Sequence, residues 1–181
     1  MLVIVSGPSG VGKSRLIDVA CASFGFKYAV PVTTRSIRRG EREGVDYEYV
    51  SVEQFQTLIR RGAMLDWDFA LRNYYGYRID LGRRVASGEN VVIHALARMA
   101  LRIAAQTPNV FLVFLDSPND VLLEQRLARR KLEDLEMQLR KLHWWEERQH
   151  SAMFDVALMD ADRAADEQLT LVLADVLGKF G

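Results

Sequence analysis

Gly7-Pro8-Ser9-Gly10-Val11-Gly12-Lys13-Ser14 is the stretch that decides the fold. It matches G-x-x-x-x-G-K-[ST], a pattern expected by chance in about 1% or less of chains this long at average residue frequencies. The glycines let the backbone curl so that successive N–H groups face a phosphate. A helix starting behind the loop adds the positive end of its dipole. Leu2 to Val5, just before the loop, is a continuous apolar run, suited to a strand buried on both faces. Lys13 to about Ser23, just after it, reads as a helix with Leu16, Ile17 and Ala20 on one side. The pattern predicts a nucleoside-triphosphate site built from Gly7, Ser9, Gly10, Val11, Gly12, Lys13 and Ser14. Lys13 would reach the β- and γ-phosphates, and the Ser14 hydroxyl would bind Mg²⁺.

Outward from the loop, Asn90 to Ala95, Val110 to Leu115 and Asp155 to Met159 read as further buried strands separated by helical stretches. Ser117-Pro118 predicts a helix start, with Ser117 as N-cap and the helix running to about Ala128. The expected fold class is α/β: a P-loop NTPase-type parallel sheet flanked by helices. Residues 29 to 80 differ, being crowded with Tyr47, Tyr49, Trp67, Phe69, Tyr74, Tyr75 and Tyr77, with alternating stretches at Tyr47–Val50 and Met64–Leu71. Ser51 and Gln54 form a capping-box pattern for a helix to Arg61, closed by Gly62. This region predicts a small mixed β insertion. Residues 128 to 150 carry many alternating charges and predict an exposed helix and a mobile segment. The expected division is a core of 1–30, 81–127 and 150–181, an insertion at about 31–80 and a lid at about 128–149.

The composition excludes several classes. Apolar residues are 49% and the 24 Lys+Arg balance 24 Asp+Glu, so the chain is neither disordered nor drawn as a whole to nucleic acid or anionic membranes. No apolar run approaches the ~20 residues of a membrane helix. The single cysteine, Cys21, excludes a disulfide framework and a four-cysteine metal site. The N-terminus lacks the basic and apolar regions of a signal peptide, so a cytoplasmic protein is expected. No Asn-Lys-x-Asp guanine-reading motif of a switch GTPase occurs, and the size favours a small-molecule kinase over a motor ATPase.

A second basic cluster follows at Thr33-Thr34-Arg35-Ser36-Ile37-Arg38-Arg39-Gly40-Glu41, with Gly44-Val45-Asp46-Tyr47 behind it. Two arginines three apart on a loop can close on one phosphate with forked donors, and tyrosine hydroxyls add neutral ones. A solvated arginine loop is the alternative reading. The run TTRSIRRGEREGVDYEYV, the loop GPSGVGKS and the later NYYGY together resemble the guanylate kinase family, and RLARR and FDVALMDAD fall where that family has its lid arginines and last strand. The resemblance implies transfer from Mg-ATP to GMP, a small phosphorylated acceptor. It implies that Arg35, Arg38, Tyr47 and Tyr75 hold the acceptor's phosphate, with Glu41 orienting the arginines. Asp66 falls on the acid that accepts from guanine N1 and N2. Arg130, with Arg140 or Lys141, would close over the transferring phosphoryl group, and Arg38 could bridge it to the acceptor. Lys13, Arg38, Arg130 and Arg140 are thus the expected catalytic set.

The departures from the family's pattern concentrate at the base and metal positions. Pro31 stands where a serine is usual, and Tyr77 where a small hydroxyl residue reads guanine O6. Val91-Val92-Ile93-His94-Ala95-Leu96 replaces a strand ending in Asp-x-Asp. His94 could contact the acceptor or simply finish a strand. Two alternatives follow: a kinase for another phosphorylated acceptor such as ribose 1,5-bisphosphate, toward which Arg98 points, or a non-catalytic binding module. Intact Lys13 and Ser14 weigh against the second. Asp116 resembles a Walker-B acid in pattern, but a strand-end polar role is the preferred reading.

Overall fold

A computed structural model describes residues 1–128, 134–159 and 164–180. In chain order the elements are β1 (Leu2–Ser6), α1 (Lys13–Phe24), β2 (Lys27–Tyr28), β3 (Val32–Thr33), β4 (Glu48–Tyr49), α2 (Val52–Arg60), β5 (Met64–Ala70) and β6 (Asn73–Arg78). They continue with α3 (Asp80–Ala86), β7 (Val91–His94), α4 (Ala97–Gln106), β8 (Val110–Asp116), α5 (Asp120–Ala128), α6 (Asp134–Arg148), a 3₁₀ turn, β9 (Val156–Met159) and α7 (Ala164–Phe180).

Five strands form a parallel sheet in the order β2-β7-β1-β8-β9. The central strand β1 is buried throughout, and its alternation explains the two layers around it. Val3 and Val5 pack with Leu16, Ile17, Leu169 and Leu173 of α1 and α7. Leu2 and Ile4 pack with Leu81, Val85, Met99 and Ile103 of α3 and α4. A strand with no polar face therefore needs helices on both sides, and the chain supplies them.

The insertion forms a separate four-stranded sheet, β4-β3-β6-β5, in which β3 and β4 run parallel and the other pairs antiparallel. Val32, Phe55 and Met64 make its own small core under α2. The capping box forms as expected: the Ser51 hydroxyl accepts from Gln54 N–H, and the Gln54 side chain accepts from Ser51 N–H. The β5–β6 hairpin turns on Leu71 and Arg72, both with positive φ (49° and 64°). A two-residue hairpin turn of this hand favours glycine or asparagine.

Two expectations are corrected here. Ser117 does not cap α5; the Asn119 side chain accepts from Leu122 N–H, and Ser117 donates to the Asn119 carbonyl. The helix starts two residues later because the carboxamide reaches its third N–H. The charged helix α6 is not simply exposed, since it buries Arg140, Trp144 and Glu147. Arg130, expected in the lid, lies outside the described residues. Among the described residues, no helix is long and apolar enough to cross a membrane.

Candidate active site

The glycine-rich loop runs from the carboxyl end of β1 into α1. Gly7 has φ 135°, and a Cβ there would lie 1.9 Å from the Leu115 carbonyl oxygen, so only glycine fits. The Lys13 ammonium donates to the Gly7 and Pro8 carbonyls at 2.6 and 2.9 Å, which holds it across the loop. Arg126 of α5 donates to the Val11 carbonyl from outside, a clamp the sequence reading did not single out. Ser14 is exposed on the first turn of α1, facing a groove that also holds Ser9, Gly10, Gly12 and Lys13.

A second chamber adjoins this groove, between the glycine-rich loop, the insertion and α6. Lys13, Arg35, Arg38 and Arg140 line it together with Tyr47 and Tyr75. Glu41 organises the cationic side. It takes both ends of the Arg35 guanidinium at 2.9 Å, the Arg38 N–H at 2.8 Å and the Tyr49 hydroxyl at 2.7 Å. Burial alone would raise the Glu41 pKa, but these donors hold it down at about 2. Arg35 is only 9% exposed. Its guanidinium lies 4.8 Å from the Tyr47 ring centroid, a cation–π contact that fixes its plane. Arg38 has its pKa lowered by burial and by the neighbouring charges of Arg35 and Arg140. Cations gathered this closely are primed for an anion.

Of the two cations expected in the lid, Arg140 lines the chamber and Lys141 does not. Arg140 is buried and reaches into the chamber, donating to the Ser9 hydroxyl at 2.7 Å and to Glu136. Lys141 pairs with Glu124 instead. His143, expected at the surface, also lines the chamber. Glu147 accepts from the Ala97 N–H at the start of α4, and burial raises its pKa. Asp116 is tied to Arg148 through both oxygens and to Ser117 N–H, consistent with the strand-end reading.

His94 sits where β7 ends, between two tyrosines. Its Nε2 is 2.9 Å from the Tyr47 hydroxyl and its Nδ1 3.0 Å from that of Tyr28. Burial, then Lys13 and Arg35, lower its pKa to about 3, so the ring is neutral at physiological pH. Tyr77 is 1% exposed and donates to the His94 carbonyl at 2.6 Å, so its hydroxyl is already spent.

Asp66 departs from its expected place. It lies opposite Tyr77 across the β5–β6 pair, hence on the same sheet face, but one strand further out. There Arg102 of α4 takes it at 2.7 Å, and it does not line the chamber. Arg98 likewise pairs with Asp68, outside the chamber. The chamber lining also includes Pro31, Leu71, Tyr77, Leu96 and Met99.

The guanylate kinase family's model matches residues 1–174. The chain belongs to the guanylate kinase family. It is 34% identical over 138 residues to the guanylate kinase of Lactiplantibacillus plantarum, covering 75% of this chain and 67% of that protein. It is 27% identical over 175 residues to that of Fusobacterium nucleatum, covering 94% and 95%. Its fold resembles the crystal structure of guanylate kinase from Anaplasma phagocytophilum, with TM-score 0.75 and 23% identity, covering 99% of this chain and 85% of that one. Within this guanylate kinase-family fold, the cations and tyrosines expected to hold phosphate line one chamber; of the positions expected to read a base, Pro31 and Tyr77 line it too and Asp66 does not.

Proposed function

We propose that the protein transfers the γ-phosphoryl group of ATP to the phosphate of GMP, giving ADP and GDP, and that the chamber beside the glycine-rich loop is its acceptor site. The observation that carries this reading is the convergence of Lys13, Arg35, Arg38 and Arg140 with two tyrosine hydroxyls on one cavity adjoining that loop. Arg35, Tyr47 and Tyr75 would hold the acceptor phosphate. Arg38, between Arg35 and Arg140, would bridge the acceptor and the transferring group. The work is positioning and charge neutralisation. The attacking oxygen belongs to an already acidic phosphate, so no strong general base is needed.

The loop fits a triphosphate, since the space at Gly7 admits no side chain. The exposed Ser14 hydroxyl on the first turn of α1 would help hold Mg²⁺ carried by the triphosphate, where the ion would offset phosphate charge. The same reading carries the division into core, acceptor-binding insertion and lid.

A second reading, another phosphorylated acceptor, is favoured by the apolar part of the lining and by the engagement of Asp66 with Arg102. The test is ADP release from Mg-ATP in a coupled assay with GMP, dGMP, AMP, UMP, CMP and ribose 1,5-bisphosphate. Turnover with GMP that falls by about 10²-fold or more in Lys13→Ala supports the first reading. Turnover with another acceptor but not GMP supports the second. ATP binding with no turnover on any acceptor points to a binding module.

A further inference from the structure

We infer that His94 is a positioning residue for the acceptor phosphate: its Nε2–H donates to the Tyr47 hydroxyl oxygen and so leaves the Tyr47 proton free to donate into the chamber. The inference rests on reading the chamber as a phosphate site. Its basis is the chain of three rings. Tyr28 stacks on His94, with centroids 6.0 Å apart and planes at 12°, and Tyr47 meets it edge-on at 5.6 Å and 77°. Each imidazole nitrogen has one hydroxyl within hydrogen-bond distance.

A neutral imidazole has one donor and one acceptor nitrogen, and each tyrosine hydroxyl has one proton. Two arrangements satisfy the chain. In one, Tyr28 donates to Nδ1, Nε2–H donates to the Tyr47 oxygen, and the Tyr47 proton points elsewhere. In the other, Tyr47 spends its proton on Nε2 and presents only lone pairs to the chamber, which repel a phosphate. Tyr47 lines that chamber beside Arg35. An anion there selects the first arrangement. Tyr28 then matters although it does not line the acceptor chamber, because its proton occupies Nδ1 and forces the other onto Nε2.

The test is a double-mutant cycle read in the KM for GMP, with kcat and the KM for ATP measured alongside. Tyr47→Phe and His94→Phe should each raise the GMP KM about 5- to 10-fold, with kcat and ATP KM changing less. The double variant should be no worse than Tyr47→Phe alone. His94→Gln, whose amide N–H can donate to Tyr47, should recover much of the loss. Independent, multiplicative effects would overturn the inference. So would a rise in ATP KM equal to that for GMP. Nitrogen-15 NMR of the wild-type histidines makes the same test without any variant. The Nε2–H tautomer of His94 should dominate and sharpen on titration with inorganic phosphate; a dominant Nδ1–H tautomer would overturn the proposal. Failure of GMP turnover would count against the acceptor assignment, while the phosphate titration still decides the role of His94.

Discussion

The cationic and the apolar parts of the chamber lining are built on opposite principles. On the cationic side, charged groups are ordered in advance: one carboxylate, Glu41, holds a guanidinium, a backbone N–H and a tyrosine hydroxyl at once. The lining also includes the apolar residues Pro31, Leu71, Leu96 and Met99, and two polar groups expected to meet a base are committed elsewhere, Tyr77 to the His94 carbonyl and Asp66 to Arg102. Ordered donors recognise any phosphate monoester. An apolar lining selects by shape, because a polar edge buried against it goes unpaired.

The comparison can be broken first at Glu41. Glu41→Gln should raise the GMP KM about tenfold or more and lower the melting temperature, since Arg35 loses its buried counter-ion. An unchanged KM in steady-state assays would mean that the cradle is not ordered by this residue.

A smaller effect is expected from pH. His94 titrates at about 3 in the fold against 6.5 ordinarily, so between those values the unfolded chain binds a proton that the folded chain refuses. Its contribution is fully present above pH 6.5 and is lost progressively as pH falls toward 3. Glu41, held at about 2 against 4.5, contributes above pH 4.5 and is lost as pH falls through 2. Denaturant unfolding between pH 6.5 and 4.5 should therefore show stability declining with acid, with a shallower slope in His94→Phe. Equal slopes would mean that His94 is not held neutral by the fold.

The least effect is expected at Asp66. Asp66→Asn should change kcat/KM for GMP by less than about threefold, because the carboxylate is engaged by Arg102 and does not line the chamber. A loss specific to GMP and absent with AMP would show that Asp66 turns into the chamber when the acceptor binds.

Much of this was legible in the chain. A glycine loop after an apolar run and before an amphipathic stretch allows few structures, and Ser51 with Gln54 marked α2 through purely local bonds. The two-residue strands β2 and β3 carry no such signal, because they exist only through pairing with longer neighbours, whereas β4 falls in the alternating stretch Tyr47–Val50. Tyr49 could have been found: it alternates with Tyr47, and both reach the Arg35–Glu41 pair. Glu147 could not, since its partner, the Ala97 N–H, is 50 residues away.

The glycine-rich loop, the alternation of strands and helices, and the arginine and tyrosine content of the insertion can be read from the residues alone. These depend on backbone freedom, periodicity and spacing along a few consecutive residues. Which charged groups face the chamber depends on how the elements pack. Arg140 rather than Lys141 faces inward, Asp66 is claimed by Arg102, and His94 is fixed between Tyr28 and Tyr47. Each outcome depends on which partner comes within about 3 Å, a distance set by how helices and sheets pack and not by position along the chain.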